Sequence, residues 1–180
     1  ETGNKAVLVF LSSGSRVLVN ENTELEIQSE TAATGGKATK ERTKLMIGEV
    51  FSRVKTGTNY EVETPTSVAS VRGTEFNANF DDSGEASYLV YDNSMVEVMN
   101  QLGTVLLSQL QTISVGSGQA PSQDNVKTLS QSQAEQMVGW TSQVEPAWKL
   151  NITPEGGSMQ AAGAQFALTI WAQDPKTSSI

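Results

Sequence analysis

The residue types that carry most of the chemistry in proteins are missing or scattered in this chain. Its 180 residues include no histidine and no cysteine. The usual general base and the usual nitrogen ligand of metals are therefore absent. Cysteine nucleophiles, disulfides, thiolate zinc sites and iron–sulfur clusters are excluded as well. Serines and threonines are numerous, but none lies in a G-x-S-x-G motif, and no glycine pair is followed by the G-K-S/T sequence of a phosphate loop.

Two carboxylates on one predicted strand are the first candidates for a site. Glu61 and Glu63 alternate along that strand, so their side chains project from the same face. A glycosidase needs two carboxylates that face each other across a cleft, about 5–9 Å apart. Such a cleft is usually walled with aromatic rings, which make up only 6% of this chain. The sequence therefore predicts no enzyme of this class, and we expect no enzymatic activity.

A second group of carboxylates lies at a turn. Asp81, Asp82 and Glu85 surround Ser83-Gly84, and a calcium ion prefers carboxylate oxygens. The D-x-D-x-D-G spacing that builds a calcium loop is missing, so we expect a solvated turn and keep a weak metal site as the alternative. No other metal site and no cofactor are predicted.

An arginine and a glycine between two apolar strands form the third candidate. The strand before Pro65 must end there or lie on an edge, because proline has no backbone N–H to donate. Arg72-Gly73 follows the small or β-branched residues Val68, Ala69 and Val71 and leads into a second alternating stretch. Glycine suits a bulge or a close backbone approach, and an arginine can place two donors on carbonyls or on a carboxylate. We interpret Arg72 as a semi-buried residue that ties two strands through Glu75 or backbone carbonyls. A ligand-contacting arginine is the alternative.

Short strands separated by polar turns must position these residues. Residues 31–44 contain Gly35-Gly36 and four basic residues, and are predicted to form an exposed hairpin tip or loop. The density of strands is typical of an all-β roll, sandwich or solenoid. The predicted strands are Ala6–Leu11, Arg16–Val19, Glu24–Ile27, Lys44–Val54, Tyr60–Thr64, Phe76–Phe80, Ser87–Asp92, Met95–Met99, Thr104–Leu107 and Thr112–Val115.

The run from Thr64 to Phe76, TPTSVASVRGTEF, closely resembles the signature of the FecR domain. The positions that carry this resemblance are Thr64, Pro65, Arg72, Gly73, Thr74, Glu75 and Phe76. Segments on both sides, with Gly14-Ser15 upstream and Glu85–Val98 downstream, extend the resemblance over residues 1–121. The resemblance implies an all-β rolled sandwich or solenoid-like domain. Members of the family begin with one more strand pair, so this chain is expected to be a fragment.

The composition changes after residue 121. Residues 122–147 are predicted to form a polar linker and a helix over Thr128–Val144, which packs onto the β domain and can be capped by Ser130 or Thr128. Residues 148–180 form a short β tail in which Phe166, Leu168 and Ile170 alternate. This tail resembles the start of an immunoglobulin-like or cohesin-like surface domain.

Charge and hydropathy restrict the partners. The net charge of −8 disfavours nucleic acid, because phosphate neutralisation dominates that affinity, and it disfavours anionic membranes for the same reason. No run of 18 apolar residues predicts a membrane span. A protein partner or self-assembly is expected, and a small-molecule ligand is not.

Three functions remain open. The first is a non-enzymatic, exported FecR-like module of a bacterial surface, extracellular or periplasmic protein, which acts by protein–protein contacts in a structural or adhesive assembly. The second is the periplasmic sensor part of a FecR-type transmembrane signalling regulator. Regulators of that type add a cytoplasmic anti-sigma segment, a membrane span and a receptor-contacting domain. The third is a carbohydrate-binding domain, which would need an aromatic cleft.

Overall fold

Twelve strands, one α-helix and two 3₁₀ turns make up the part of the chain that the structure describes. A computed structural model describes residues 2–3, 5–31 and 38–144. The elements are β1 (Val7–Phe10), β2 (Arg16–Val19), β3 (Glu24–Thr31), β4 (Ala38–Arg53), β5 (Tyr60–Glu63), β6 (Val68–Val71), β7 (Glu75–Phe80), β8 (Ala86–Val90), β9 (Val96–Asn100), β10 (Gly103–Leu107), β11 (Gln111–Val115), β12 (Lys127–Thr128), α1 (Gln131–Met137) and the 3₁₀ turns Gln123–Asn125 and Gly139–Gln143. The predicted all-β fold is confirmed.

The long strand β4 pairs with different strands along its two halves, and so the sheet folds back at the middle of β4. Residues of its N-terminal half pair with β3 and β5, whereas residues of its C-terminal half pair with β2 and β7. Gly48 lies at the changeover with φ of +99°. A Cβ atom at this position would lie 2.6 Å from Cα of Thr23, so only glycine permits this close approach.

The turned sheet forms two layers. We call β3, the first half of β4, β5, β6, β9 and β10 the front layer, and β1, β2, the second half of β4, β7, β8, β11 and β12 the back layer. All pairings are antiparallel except that of β4 with β5, which is parallel. The result is a rolled sandwich in which β4 belongs to both layers.

Aliphatic side chains from both layers form the main core. Val17, Val50 and Ala78 enter it from the back layer, and Val62 and Val98 enter it from the front layer. All five are essentially inaccessible to solvent. Buried residues alternate with partly buried ones in β5 and with exposed ones in β10, as in strands with one solvated face.

Two buried tyrosines join the layers by hydrogen bonds. The hydroxyl of Tyr60 lies 2.7 Å from Oγ1 of Thr43 and accepts a hydrogen bond of 3.2 Å from Oγ of Ser52. Burial raises the pKa of Tyr60 to about 12. The hydroxyl of Tyr88, on β8, lies 2.9 Å from Oγ of Ser67, in the turn between β5 and β6. Both phenols are therefore satisfied polar groups in an apolar core.

A second apolar cluster lies on the outer side of the back layer, beneath α1. Ala134 and Val138 pack there with Leu18, Phe51 and Leu89. Ser130 begins the helix with a capping box, in which its Oγ accepts from N of Gln133. The tryptophan Trp140 is partly buried against the same cluster.

The helix is shorter than the predicted Thr128–Val144. It ends at Met137, and the chain continues as a 3₁₀ turn from Gly139. Glycine costs an α-helix about 1 kcal/mol relative to alanine, which explains the early end. Strand β12 lies beyond residue 121 and pairs with β11.

The predicted loop over residues 31–44 is wrong for its second half, because β4 begins at Ala38. The structure buries Glu41 and Thr43 and turns Arg42 and Lys44 outward. The start of this strand could not be recognised from hydrophobic alternation, because polar residues occupy its buried positions. The tip of the hairpin and the predicted tail 148–180, with Trp148 and Trp171, lie outside the described residues, and the division at residues 121 and 147 stays a prediction. Across the described ranges, no helix is long and apolar enough to cross a bilayer.

Candidate functional site

The run from Thr64 to Phe76, which we call the arch, carries the chain from the front layer to the back layer. Strand β5 ends at Glu63, directly before Thr64 and the exposed Pro65, as the sequence predicts. Thr64 is buried, and its Oγ1 donates to the carbonyl of Ser67 at 3.0 Å. This hydrogen bond closes the turn that returns the chain into β6.

Gly73 fixes the crossing between the layers. Its φ is +105°, and a Cβ atom would lie 2.6 Å from Cα of Thr56. The neighbouring residue Thr74 is buried, and its carbonyl accepts from N of Val54 at 2.9 Å. Gly73 thus has a left-handed backbone and a close approach to Thr56, both of which favour glycine.

Phe76 anchors the far end of the arch in the main core. Its side chain is fully buried. Its ring meets that of Tyr60 edge-on, with 6.2 Å between the centroids. Because Phe76 lies on β7 and Tyr60 on β5, this aromatic pair joins the back layer to the front layer.

Arg72 does not have the semi-buried, strand-tying position that we predicted. Its side chain is exposed, and in the described residues it makes no hydrogen bond or ion pair. Glu75 instead faces Arg53, with 3.6 Å between Oε1 and Nε. Alternation explains the difference: Val71 points into the core, so the next side chain points outward.

Arg72 lines an open cleft of about 510 Å³ on the outer face of the front layer, which we call the front cleft. One end of the cleft is apolar and contains Met95 and Leu106, whose side chains are 60% and 51% exposed. The other end is charged. The remaining lining residues are Lys40, Asn59, Tyr60, Glu61, Ser70, Val71 and Glu97.

Ion pairs occupy the charged end of the front cleft. Nζ of Lys40 lies 2.9 Å from Oε1 of Glu61, and Arg42 bridges Glu61 and Glu63 at 2.8 Å and 2.9 Å. Partial burial alone would raise the pKa of Glu61, but the hydrogen bonds and charges of Lys40 and Arg42 outweigh it and lower that pKa. A general acid needs the opposite shift. Glu61 and Glu63 therefore share a face of β5, as predicted. Each of them pairs with a basic residue of β4.

A second open cleft, of about 370 Å³, lies on the other side of Gly73. Arg16, Arg53 and Lys55 contribute three cations to its wall. The guanidinium of Arg53 lies 5.6 Å from the ring centroid of Phe51, a cation–π contact, and the same group faces Glu75. The arch thus lies between two clefts: the front cleft, which has an apolar end, and this second cleft, which has three basic residues in its wall.

In the acidic turn after β7, the carboxylate of Asp81 accepts hydrogen bonds from other residues of the same turn. Oδ1 of Asp81 accepts three hydrogen bonds. The donors are N of Ser83 at 2.9 Å, Oγ of Ser83 at 2.5 Å and N of Glu85 at 3.1 Å. The hydrogen bond from the Ser83 hydroxyl is the main reason that the pKa of Asp81 is lowered. Asp82 and Glu85 do not complete a cage, and no group of three or more acidic residues in the described ranges is placed to hold a metal ion.

One buried carboxylate, Glu41, was not predicted from the sequence. Glu41 is almost inaccessible, and it accepts from Oγ of Ser12 at 2.9 Å, from N of Ser13 at 2.9 Å and from Oγ of Ser13 at 2.6 Å. It therefore fixes the loop between β1 and β2. The signal was its position in the alternation of Glu41, Thr43 and Leu45, which assigns an acid to the buried face of a strand.

The two-layer roll and the packed arch define an all-β module without a catalytic constellation in its described residues. The family model described as FecR protein matches residues 1–96. This match covers more than half of the chain, so the chain belongs to the FecR family. The resemblance inferred from Thr64–Phe76 is confirmed.

Two solved structures share the fold of this chain at low sequence identity. Two crystal structures of a Parabacteroides distasonis ATCC 8503 protein, described as a "putative anti-sigma factor", match with a TM-score of 0.61 and 20% identity. The matches cover 78% of this chain and 62% of those chains, so this chain spans less than two thirds of their length. At this identity the likeness shows the fold. Among curated proteins, none matches.

Proposed function

We propose that this chain is the exported part of a FecR-type transmembrane signalling regulator, and that it acts by binding other proteins through the front cleft. The observation that carries the proposal is the FecR family match over residues 1–96, which includes the whole arch. The fold shared with the Parabacteroides structures, together with their description, supports the same assignment. This reverses the order of the first two hypotheses from the sequence, because neither finding favours an adhesive assembly.

The chemistry of the front cleft supports binding of a protein. Protein interfaces combine an apolar centre with a charged rim, and methionine and arginine are enriched in them. Met95 and Leu106 supply exposed apolar surface, and Arg72 supplies a charge that no described residue neutralises. A charge in this state can pair with a partner at little cost, because no internal ion pair has to break first.

A binding role without catalysis is part of the proposal. Glu61 is held in its charged form by Lys40 and Arg42, so it is poorly suited to donate a proton. The chain has no histidine or cysteine to take over that role. Among the described residues, Tyr60 is the one aromatic residue that lines the front cleft, so they do not form the wall of aromatic rings that a carbohydrate-binding domain would use.

The location follows from the type of regulator. In FecR-type regulators the FecR domain lies outside the cytoplasm and the anti-sigma segment lies inside it. We therefore place this chain in the periplasm or at the cell surface, where it would respond to a receptor and pass that response through the membrane to the cytoplasmic segment.

Transcription in the native host tests this proposal against the adhesive alternative. The full-length gene is compared with a version that lacks the codons for residues 1–144, and RNA levels and surface attachment are both measured. We expect the transcripts of one co-regulated gene set to change at least about tenfold while attachment is kept. Unchanged transcripts together with lost attachment would contradict the proposal and favour the adhesive role. A full-length Met137→Lys protein, altered on α1 away from the front cleft, is the control and should behave as the wild type.

A further inference from the structure

Strand β10 ends the front layer, and its outer edge carries no strand in the described part of the chain. It pairs with β9 along its whole length, from Gly103 opposite Asn100 to Leu107 opposite Val96. Residues 120–121 approach it at its first residue, Gly103. The backbone groups on the open side of Thr104–Leu107 are therefore available for pairing.

The other edge of the front layer is protected in a way that β10 is not. Strand β3 carries the glutamates Glu24 and Glu26, and its register shifts at both ends of its ladder with β4. Charges and bulges of this kind discourage a further strand. The sequence of β10, GTVLL, contains no charge and no proline and has high β propensity after its glycine.

The edges of the back layer are also less open. Strand β12 has two residues, too few to hold a partner strand. In β1, Val7 and Leu8 pack against the two apolar clusters, and the exposed Phe10 lies 5.7 Å beneath the guanidinium of Arg16. Strand β10 therefore combines an open edge with unpacked apolar side chains, and it is the edge best suited to pairing.

Exposed apolar surface is concentrated beside this edge. The described residues include six large apolar side chains that are exposed, and Met95, Leu102 and Leu106 of the β9–β10 region are the three most exposed. Glu97 lies opposite Leu106 in the ladder, and Arg72 lines the same cleft. An apolar patch with one cation and one anion on its rim has the composition of a small protein interface.

We propose that β10 and the front cleft bind an extended segment of a partner protein. The segment adds to the front layer as a strand, covers Leu106 and Met95 with apolar side chains and places a carboxylate beside Arg72. Pairing of main-chain groups supplies affinity, and the side chains supply specificity. This inference rests on the proposed function, since a regulator that responds to a receptor needs a surface on which the receptor or another partner docks.

Charge favours a partner protein over a second copy of this chain. Each copy carries a net charge of −8, so two copies repel each other. Pairing of β10 with β10 would also bring a second Glu97 and a second Arg72 to the same short interface, with no guarantee that opposite charges meet. A partner segment with its own carboxylate satisfies Arg72 directly.

Defined peptides test the inference without knowledge of the natural partner. The probes are a ten-residue peptide of alternating valine and threonine with one central aspartate, and the same peptide with lysine in place of aspartate. Each is titrated into the 180-residue chain, and NMR amide exchange is followed along β3 and β10. We expect slower exchange at residues 104–107, unchanged exchange in β3, and about tenfold weaker binding of the lysine peptide.

Three variants sharpen the test. Leu106→Lys places a charge on an exposed position of the edge and should weaken the aspartate peptide about tenfold without lowering the melting temperature. Arg72→Glu should reverse the preference, so that the lysine peptide binds better. Met137→Lys, with the same loss of an exposed apolar side chain on α1, should bind as the wild type.

Other outcomes contradict either the inference or the proposed function on which it rests. Equal protection of β3 and β10, or an unchanged preference in Arg72→Glu, would show that the peptides bind without using this surface. Absence of peptide binding together with dimerisation that Leu106→Lys abolishes in sedimentation would assign the edge to a second copy. Peptide binding combined with unchanged transcripts in the deletion experiment would keep this surface and reject the proposed regulatory function.

Discussion

Gly73 and Arg72 are neighbours in the arch, but only Gly73 is packed. A side chain at Gly73 would collide with the backbone of Thr56, whereas the side chain of Arg72 extends from the surface into an open cleft. Thr74 and Phe76, which follow, are buried. The arch therefore contains two kinds of residue. Gly73 permits the backbone geometry with which the chain crosses between the layers, and Arg72 forms part of the surface beside that crossing.

This difference separates two kinds of mutational effect. Replacing a packed residue of the arch should lower the free energy of unfolding and affect binding only through folding. Replacing Arg72 should leave the free energy of unfolding unchanged and affect binding directly. Four substitutions, ordered by the size of their expected effect on stability, test this separation.

Phe76→Ala should have the largest effect. The ring is fully buried and meets Tyr60 edge-on, so its removal leaves a cavity between the layers. Truncation of a buried phenylalanine costs roughly 3–5 kcal/mol. Urea denaturation followed by tryptophan fluorescence measures this loss. Phe76→Leu, which keeps most of the volume, is the control, and a similar loss in both variants would contradict the cavity explanation.

Gly73→Ala should follow, with a loss of roughly 3 kcal/mol from a strained φ and from overpacking against Thr56. The matched control is Gly57→Ala. Gly57 also has a positive φ, +85°, but a Cβ atom there meets nothing within 4 Å. The control therefore isolates the cost of backbone strain, and the difference between the two variants measures the close approach. Equal losses would mean that Thr56 moves away without cost.

The arch shows which parts of the fold can be predicted from the sequence. Pro65 fixes the end of a strand and Gly73 marks a close approach because these residues have intrinsic backbone properties that do not depend on distant neighbours. The alternation of apolar residues likewise located strands such as Arg16–Val19 to the residue. Local rules were sufficient for these elements.

Other features depend on which strands become neighbours. The pairing of Glu75 with Arg53 instead of Arg72 follows from the ladder of β4 with β7, which places residues 53 and 75 opposite each other. The burial of Glu41 depends on donors from the loop at Ser12 and Ser13. No local pattern gives these pairings, so the site around Arg72 could be assigned only from the structure.

The paired charges of the front cleft give a smaller, pH-dependent effect. The pKa of Glu61 is lower in the folded chain than its ordinary value of 4.5, so its ion pairs stabilise the fold above that value. This contribution is lost as the pH falls through the folded-state pKa. Glu61→Gln should therefore reduce the fall in melting temperature on acidification below about pH 4.5. The corresponding change in the free energy of unfolding should be less than about 1 kcal/mol, because the group is partly solvated.

Glu97→Gln is the matched control for this titration. It removes the same charge from the same cleft, but Glu97 is exposed and forms no ion pair with the described residues. Its acid-side melting curve should follow that of the wild type. If both variants flatten the curve equally, the general loss of negative charge is responsible, and the ion pairs with Lys40 and Arg42 are not.

Arg72→Ala should have the smallest effect on stability. A semi-buried ion pair would have cost about 3–5 kcal/mol on removal of one partner, but the side chain is exposed and unpaired among the described residues. Surface substitutions of this kind change the free energy of unfolding by no more than about 0.5 kcal/mol. The urea midpoint should therefore match that of the wild type, while the aspartate peptide binds about three- to tenfold more weakly. A midpoint lowered as far as that of Gly73→Ala would contradict the separation, because Arg72 would then be as much a part of the packed arch as its neighbour.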